Sequence, residues 1–368
     1  MIVKNEAAVI ERCLAPLRDL IDTWVISDTG STDGTQQLIR TALTGIPGEL
    51  HEEPWVDFGH NRTLNIQHAR AKADYLLTVD ADHVIRQEFP LPPLTATSYM
   101  LRYEGRTEHR FKHLLRGDIP WRYEGVTHEY PTTGETDHQE NLDALVIEDH
   151  ADGGSRHQKY ERDARLLSAE LERDPDNVRT VFYLAQTRRD MGDTEDAITL
   201  YERRAQMGGW AEEVYYALLQ VGVLKAGSGD WPGAMDAFSR AWESRPQRLE
   251  ACYELASRLR SMRRYRSAHA MARSGLGHKA PDDLLFVQPW VYRWGLLFEF
   301  SITAYWVGDL TGSLRACDRL LAMPDLPDTH RRQTITNRAF AAQRLAAMHE
   351  PAAESGTGKP TRKRARTR

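Results

Sequence analysis

The hydrophobic period of the chain changes once, near His150, and that change commits the protein to two differently built parts. Before it, short apolar runs alternate with helical patterns. Trp24-Val25-Ile26-Ser27, Tyr75-Leu76-Leu77-Thr78-Val79 and Tyr99-Met100-Leu101-Arg102-Tyr103 read as strands. Residues 7–20 place Val9, Ile10, Cys13, Leu14 and Leu17 at helical spacing, and residues 35–43 do so more weakly. Strand and helix in alternation predict an α/β layer with a parallel sheet, whose ligands sit beyond the carboxyl ends of the strands. After His150 the pattern is helical throughout, punctuated by Gly and Pro. A chain of 368 residues is longer than one core usually serves. The expected division is an α/β domain over 1–155, an all-α domain over 156–348 and a basic tail over 349–368.

The helical half repeats itself. Leu184-Ala185, Gly192-Asp193, Ala197 and Tyr201 define one unit, and Val221-Gly222, Gly229-Asp230, Ala234, Phe238, Ala241 and Pro246 fill the same slots in the next. Leu255-Ala256, Tyr265, Ala268 and Ala272 continue the series, the last two lying 34 positions beyond Ala234 and Phe238. A looser fourth unit, with Phe300, Gly308-Asp309 and Ser313, follows an insertion at 280–289. Small residues let paired helices cross closely, Gly-Asp turns the chain, and the aromatic fills the gap to the neighbouring unit. This pattern resembles the tetratricopeptide (TPR) repeat, and the resemblance implies stacked helical hairpins with a concave face. An unrelated helical bundle is the alternative. Tyr215, Tyr216, Trp231, Trp242, Trp290, Tyr292 and Trp294 are candidates to line that face, although helix-spaced aromatics more often serve the core.

Composition excludes several classes of function. A net charge of −5 gives no global electrostatic case for nucleic acid as a partner. The one local exception is the tail, where Lys359, Arg362, Lys363, Arg364, Arg366 and Arg368 crowd among Gly and Pro and predict a solvated, disordered segment. No apolar run approaches the ~20 residues of a membrane-spanning helix, and charges interrupt the start where a secretion signal needs an apolar core. The expected location is the cytoplasm. Cys13, Cys252 and Cys317 are widely spaced, which suggests core residues and neither a disulfide framework nor a thiolate zinc site.

The chemistry concentrates where the run Leu76-Leu77-Thr78-Val79 stops at Asp80-Ala81-Asp82. Two carboxylates this close repel by on the order of a kcal/mol at protein-surface dielectric, so a positive partner is expected. Mg²⁺ or Mn²⁺, hard cations that also bridge phosphate oxygens, would serve. A solvated loop is the bland alternative. A second strand, Trp24-Val25-Ile26-Ser27, runs into Asp28-Thr29-Gly30-Ser31-Thr32-Asp33-Gly34-Thr35, a Gly-rich turn and a helix start. Asp28, at the strand end, is placed to accept from a ligand's N–H or hydroxyl groups.

Together MIVKNE, VISDTGSTDGT and WVDFGHNRTLNIQHARAKADYLLTVDADHVI resemble the family 2 glycosyltransferases of the GT-A fold, a Rossmann-like nucleotide-sugar-binding architecture, over residues 1–155. The resemblance implies that Asp28 contacts the nucleobase, with Glu6 near the uridine, and that Asp82 ligates the metal on the sugar-nucleotide diphosphate. Asp80 would face ribose and metal-bound water. Asn61 and Arg62 fall in the nucleotide-facing Arg-Asn region, in reversed order. His150 would supply a third metal ligand. Family members carry several more strand residues before the position of Met1, so a short first strand is expected.

An acceptor-side loop is read in Trp121-Arg122-Tyr123-Glu124-Gly125-Val126-Thr127-His128-Glu129-Tyr130. Inverting transfer needs one carboxylate to take the acceptor's proton; Glu129 is the first candidate and Glu124 the second, each with a surface acid as its alternative. Ser155, Arg156 and Lys159 could meet a diphosphate, and Arg116 could reach it, unless they are solvated charges. The expectation is a metal-dependent, inverting transferase moving a hexose or N-acetylhexosamine from a nucleotide sugar, a UDP-sugar foremost, to a peptide, protein or glycan. A non-catalytic TPR scaffold that binds nucleotide sugar, or a nucleotidyltransferase, is the alternative.

Overall fold

The computed structural model describes residues 1–104, 110–153 and 159–349, so Ser155, Arg156 and the basic residues of the tail lie outside the described residues. Two compact units are present, Met1–Arg204 and Ala205–Arg368.

The first unit opens with three parallel strands: β1 (Ile2–Val3), β2 (Trp24–Asp28) and β3 (Gly48–Glu52), in that order. Strand β1 is short, with two residues. Helix α1 (Ile10–Leu17) forms because Ile10, Cys13, Leu14 and Leu17 fall on one face, and all four are buried. Helix α2 (Thr35–Ala42) starts at Gly34, whose φ of 93° a side chain would resist. Helix α3 (Phe58–Ala69) is capped by Asp57, which accepts from His60 N at 2.7 Å.

The remaining strands form a five-stranded sheet of order β4-β7-β6-β10-β5, from β4 (Tyr75–Leu77), β5 (His83–Gln87), β6 (Ser98–Tyr103), β7 (Arg110–Arg116) and β10 (Gln139–Asp149). A wholly parallel sheet is the sequence expectation, and this sheet departs from it. Only the β6–β10 pair is parallel; β4–β7, β6–β7 and β5–β10 are antiparallel. The reason is local: no helix separates β4 from β10, and a parallel crossover needs one or a connection of similar length. The core draws on both sheets, with Ile26, Val79, Ile85, Leu101 and Ile147 buried against α1. A hairpin of β8 (Arg122–Glu124) and β9 (Tyr130–Thr132) completes the α/β layer.

Helices α4 (Lys159–Arg173), α5 (Val178–Met191) and most of α6 (Thr194–Met207) belong to the same compact unit, although the secondary structure changes type soon after Asp149. Val126, in the β8–β9 loop, is buried with Ala164, Leu167 and Leu184, so the first helices share a core with that loop.

The second unit continues the hairpins through α7 (Ala211–Gly227), α8 (Trp231–Ser244), α9 (Glu250–Ser261), α10 (Tyr265–Ser274), α11 (Leu296–Val307, opened by a π-turn at Val291–Gly295), α12 (Leu310–Leu321) and α13 (Asp328–His349). The Gly-Asp pairs act as the sequence predicts. Gly229 (φ 88°) and Gly308 (φ 93°) leave the helix in left-handed conformation, and Asp230 and Asp309 then cap the next helix through Gly233 N (3.0 Å) and Gly312 N (2.8 Å). Close crossing is visible where Gly222 meets the Phe238 ring. Tyr215 and Tyr216 are buried, whereas Trp231, Trp242, Trp290, Tyr292 and Trp294 are half-buried. Among the described residues no helix is long and apolar enough to cross a membrane.

Candidate functional site

The carboxyl ends of β1 and β2 carry Glu6 and Asp28, both buried. Asp28 closes its strand and folds the Gly-rich turn over itself: Oδ1 accepts from Gly30 N (2.8 Å) and Ser31 N (2.7 Å). Its Oδ2 is buried with no hydrogen-bond partner among the described residues. A buried carboxylate oxygen in that state has capacity for one ligand donor. The β1 and β2 loops are cross-tied, since Glu6 N donates to Thr35 Oγ1 (2.8 Å) and Ala7 N to Asp33 Oδ2 (3.0 Å). This holds the Glu6 backbone beside the turn. The Glu6 carboxylate itself reaches the same place as that of Asp82: a Cβ built on Gly153 would lie 3.2 Å from Asp82 Oδ2 and 3.3 Å from Glu6 Oε2. Gly153 N donates to Asp82 Oδ2 at 3.4 Å.

Asp80 and Asp82 lie in the turn between β4 and β5, where His83 N donates to Asp80 O at 3.0 Å. Their side chains have different company. Asp80 Oδ1 accepts from Arg62 Nη2 at 2.5 Å, and Arg62 Nε donates to Glu129 Oε1 at 2.5 Å. Burial alone would raise the Asp80 carboxyl, but the charge of Arg62 outweighs it and holds the group well below the usual carboxylate range. At Glu129 the balance reverses: burial wins over Arg62 and the carboxyl sits above its ordinary value. Arg62 also lies over the Tyr123 ring at 5.8 Å.

Asp82, His83 and Asp149 bring one ligand atom each within 4.8 Å of one another. The register of the antiparallel β5–β10 pair does this by setting Asp149 opposite His83. Two carboxylates and an imidazole, with Glu6 nearby, form a donor set that suits Mn²⁺ and tolerates Mg²⁺, so the residues fit the cation implied by the family resemblance. His83 is held by edge contacts with Tyr103 (5.5 Å) and His113 (5.9 Å). His150, the third ligand expected from sequence, donates its backbone N to Asp82 O (3.1 Å) while its ring pairs with Glu148 (3.2 Å). Alternation places Glu148 and His150 on one side and Asp149 on the other.

A second group, His51, Glu53 and His68, lies on β3, just after it and on α3. Its imidazoles stack at 3.9 Å and 5°, with separate carboxylates on each, Glu49 on His51 and Glu53 on His68. Parallel rings do not converge on one ion, and this group is a hydrogen-bond network between strand and helix.

Asn61 is fully buried and braces the loop after β3, accepting from Val56 N (3.0 Å) and donating to Pro54 O (2.9 Å). Glu124 is held between Arg122 (2.6 Å) and the Tyr130 hydroxyl (2.8 Å). Arg116 is paired with Asp118 at the surface. A cleft of about 450 Å³ opens beside the β8–β9 loop, lined by Asp57, His60, Glu124, Tyr130, Arg179 and Tyr183 among others. The structure therefore gathers Glu6, Asp82 and Asp149 with His83, and Asp80 with Arg62 and Glu129. His83 and Asp149 were missed from sequence although each adjoins a residue singled out there; the signal would have been strand register.

Residues 1–98 match the model of Glycosyl transferase family 2. This N-terminal region is a family 2 glycosyltransferase domain. Two curated relatives each match part of the chain. The glycosyltransferase SunS of Bacillus subtilis, derived from the SPbeta prophage, is 22% identical in an alignment of 218 positions that covers 54% of this chain and 50% of SunS. A TPR repeat-containing protein of Synechococcus elongatus is 38% identical over 82 residues, 22% of this chain and 19% of that protein. The chain thus spans half or less of the curated relatives it matches. Among solved structures, MamA aligns over 51% of this chain and 95% of its own, with 16% identity and a TM-score of 0.36. Asp28 and the Asp80/Asp82 pair fall inside the matched glycosyltransferase region, whereas Glu129 and Asp149 lie beyond it.

Proposed function

We propose that the protein is a metal-dependent, inverting glycosyltransferase that moves a hexose or N-acetylhexosamine from a UDP-sugar to a peptide, protein or glycan acceptor held by the helical repeats. One observation carries the reading: Arg62 ties Asp80, the donor-side acid, to Glu129, the acceptor-side acid, in one ion-paired group. An acid kept above its ordinary pKa beside the donor carboxylates favours an enzyme over a scaffold that only binds nucleotide.

The roles follow from environment. Asp28, with its unpartnered Oδ2, is suited to accept from a uracil N–H, and Glu6 stands close by. Asp82, with His83 and Asp149, would hold Mn²⁺ or Mg²⁺, which when bound neutralises charge on the departing diphosphate. Asp80 stays ionised and anchors Arg62. Glu129 takes the proton as the acceptor oxygen attacks the anomeric carbon; the bond from that carbon to the phosphate oxygen breaks, and the electron pair leaves with UDP. Attack from the face opposite the leaving group inverts the configuration.

UDP release from a panel of UDP-sugars, with and without Mn²⁺, tests the reading. Asp82→Ala is expected to abolish metal-dependent turnover while thermal unfolding stays within a few degrees of wild type, because the side chain serves the site and not the core. Normal rates in Asp82→Ala would sink the assignment. Pyrophosphate in place of UDP would identify a nucleotidyltransferase, and no turnover with any donor would identify a scaffold.

A further inference from the structure

The loop between β8 and β9, residues 125–129, is bent twice into left-handed conformation. Gly125 (φ 102°) adopts this at little cost, but His128 (φ 52°) does not. A non-glycine residue there costs about 1–2 kcal/mol and persists only where its surroundings enforce it. The enforcement comes from α5. The His128 ring stacks on Tyr183 at 4.2 Å and 7°. Arg179 donates to His128 O at 2.6 Å while its guanidinium lies over the rings of Tyr183 (4.8 Å) and Tyr130 (4.5 Å). The far side of the loop is fixed by α3, where Phe58 N donates to Val126 O (3.2 Å) and only a glycine at position 59 leaves room for Gly125 O.

We infer that Arg179 and Tyr183, on the first helical hairpin, are positioning residues for Glu129: by gripping His128 they set the backbone that directs the neighbouring carboxylate onto Arg62 and the reacting centre. The helical hairpin is then part of the catalytic unit and more than a tether for acceptors. This assignment rests on the reading of Glu129 as the base. His128 and Glu129 are consecutive, one facing α5 and the other Arg62. A rotation that relaxed His128 to an ordinary φ would carry Glu129 away from Arg62. Misplacement of a catalytic group by about 1 Å costs ~10²-fold in rate.

The test needs no identified acceptor, since water can take the sugar. Hydrolysis of a UDP-sugar with Mn²⁺ is followed for the full-length wild type, Arg179→Ala, Tyr183→Ala, Tyr183→Phe, Glu129→Gln and the Arg179→Ala/Glu129→Gln double variant. The expected result is a fall in kcat of ~10-fold or more for Arg179→Ala and Tyr183→Ala, with donor KM and calorimetric UDP affinity within about twofold of wild type. Tyr183→Phe, which keeps the ring, restores turnover. The double variant is no slower than Glu129→Gln alone, as two changes acting through one group are not additive. If Glu129→Gln loses turnover while both α5 variants keep theirs, the positioning role is wrong and the base assignment survives. If Glu129→Gln turns over normally, the base assignment fails first and the inference with it. A raised KM at unchanged kcat would make α5 a donor-binding element and overturn the proposal. Should Tyr183→Ala not fold, Arg179→Ala, at a partly exposed position, decides the matter alone.

Discussion

Replacing Arg62 by Gln removes the one charge that Asp80 and Glu129 share, and the structure sets the size of the effect. Both N–O contacts are 2.5 Å, and the relative exposure of the side chains is 16% for Arg62, 37% for Asp80 and 11% for Glu129. Charges ~4 Å apart attract by about 4 kcal/mol at an effective dielectric of about 20. Burial cost takes back much of that gain, and removing one partner of a buried pair leaves an uncompensated charge, for a net loss of about 3–5 kcal/mol. The more exposed Asp80 contributes the smaller share because solvent screens it. The pH dependence separates this from lost packing. With Arg62 present, Asp80 is held below its unfolded pKa, so its contribution is full above that unfolded value and disappears as pH falls through the folded one. Glu129, raised by burial, has the opposite sign: it favours the fold below its unfolded pKa and loses that contribution as pH rises through the folded value. The gap between wild type and Arg62→Gln in urea unfolding is therefore expected at about 3–5 kcal/mol at neutral pH, narrowing as pH falls, first as Glu129 protonates above the ordinary carboxylate value and last, at the acid end, as Asp80 does. A gap under about 1 kcal/mol, or one that does not change with pH, would refute the electrostatic account and leave Arg62 as a packing residue. If Arg62→Gln does not fold at neutral pH, refolding it near the carboxylate pKa range gives the same answer.

Two further predictions concern the helical unit. In the third hairpin the turn that elsewhere uses Gly is made by Arg263 at φ 58°, on the surface, with Arg263 N donating to Arg260 O at 2.9 Å. Arg263→Gly removes a strain of about 1–2 kcal/mol against an entropic loss of about 0.5–1, so thermal unfolding should show a gain of about 0.5–1 kcal/mol; destabilisation would mean that the arginine side chain matters. Gly222→Ala would place a methyl 2.5 Å from the Phe238 ring and is expected to cost about 1–3 kcal/mol in the same assay, whereas a neutral result would show that the α7–α8 crossing can widen freely.

What could be read from sequence was whatever is local. The apolar runs that became β2, β4 and β6, the face of α1, and the Gly-Asp turns of the repeats all depend on residues a few positions apart. Sheet order was not local. A run such as Ser98–Tyr103 has the same pattern whether its neighbours run parallel or antiparallel, and it has one of each in β10 and β7. The cluster of Asp82, His83 and Asp149 was out of reach for the same reason. Asp82 announced itself by its repulsion from Asp80, but Asp149 and His83 become partners only through the β5–β10 register. Period-two alternation then turns His150 to the other side of the strand end, towards Glu148. Nothing within a few residues of Arg62 hinted that it would join Asp80 to a glutamate 67 positions away.

The two acids joined by Arg62 show how one cation can serve opposite needs. Both are desolvated, and both are within reach of the same guanidinium, yet one is driven below its ordinary pKa and the other stays above it. The difference follows from how much compensation each receives: Asp80 also has His83 at 3.9 Å, whereas Glu129 is more deeply enclosed and feels the negative charge of Asp80 as well. Carboxyls whose environments push their pKa values apart are suited to different tasks, the lower as a permanent anion and the higher as a proton acceptor with useful basicity. A neutral residue in place of Arg62 would leave two neighbouring acids competing for a single proton, and neither would keep a defined role at neutral pH. On the reading proposed above, the arginine separates donor-side from acceptor-side chemistry through charge, while the helical hairpin sets where the acceptor-side acid stands.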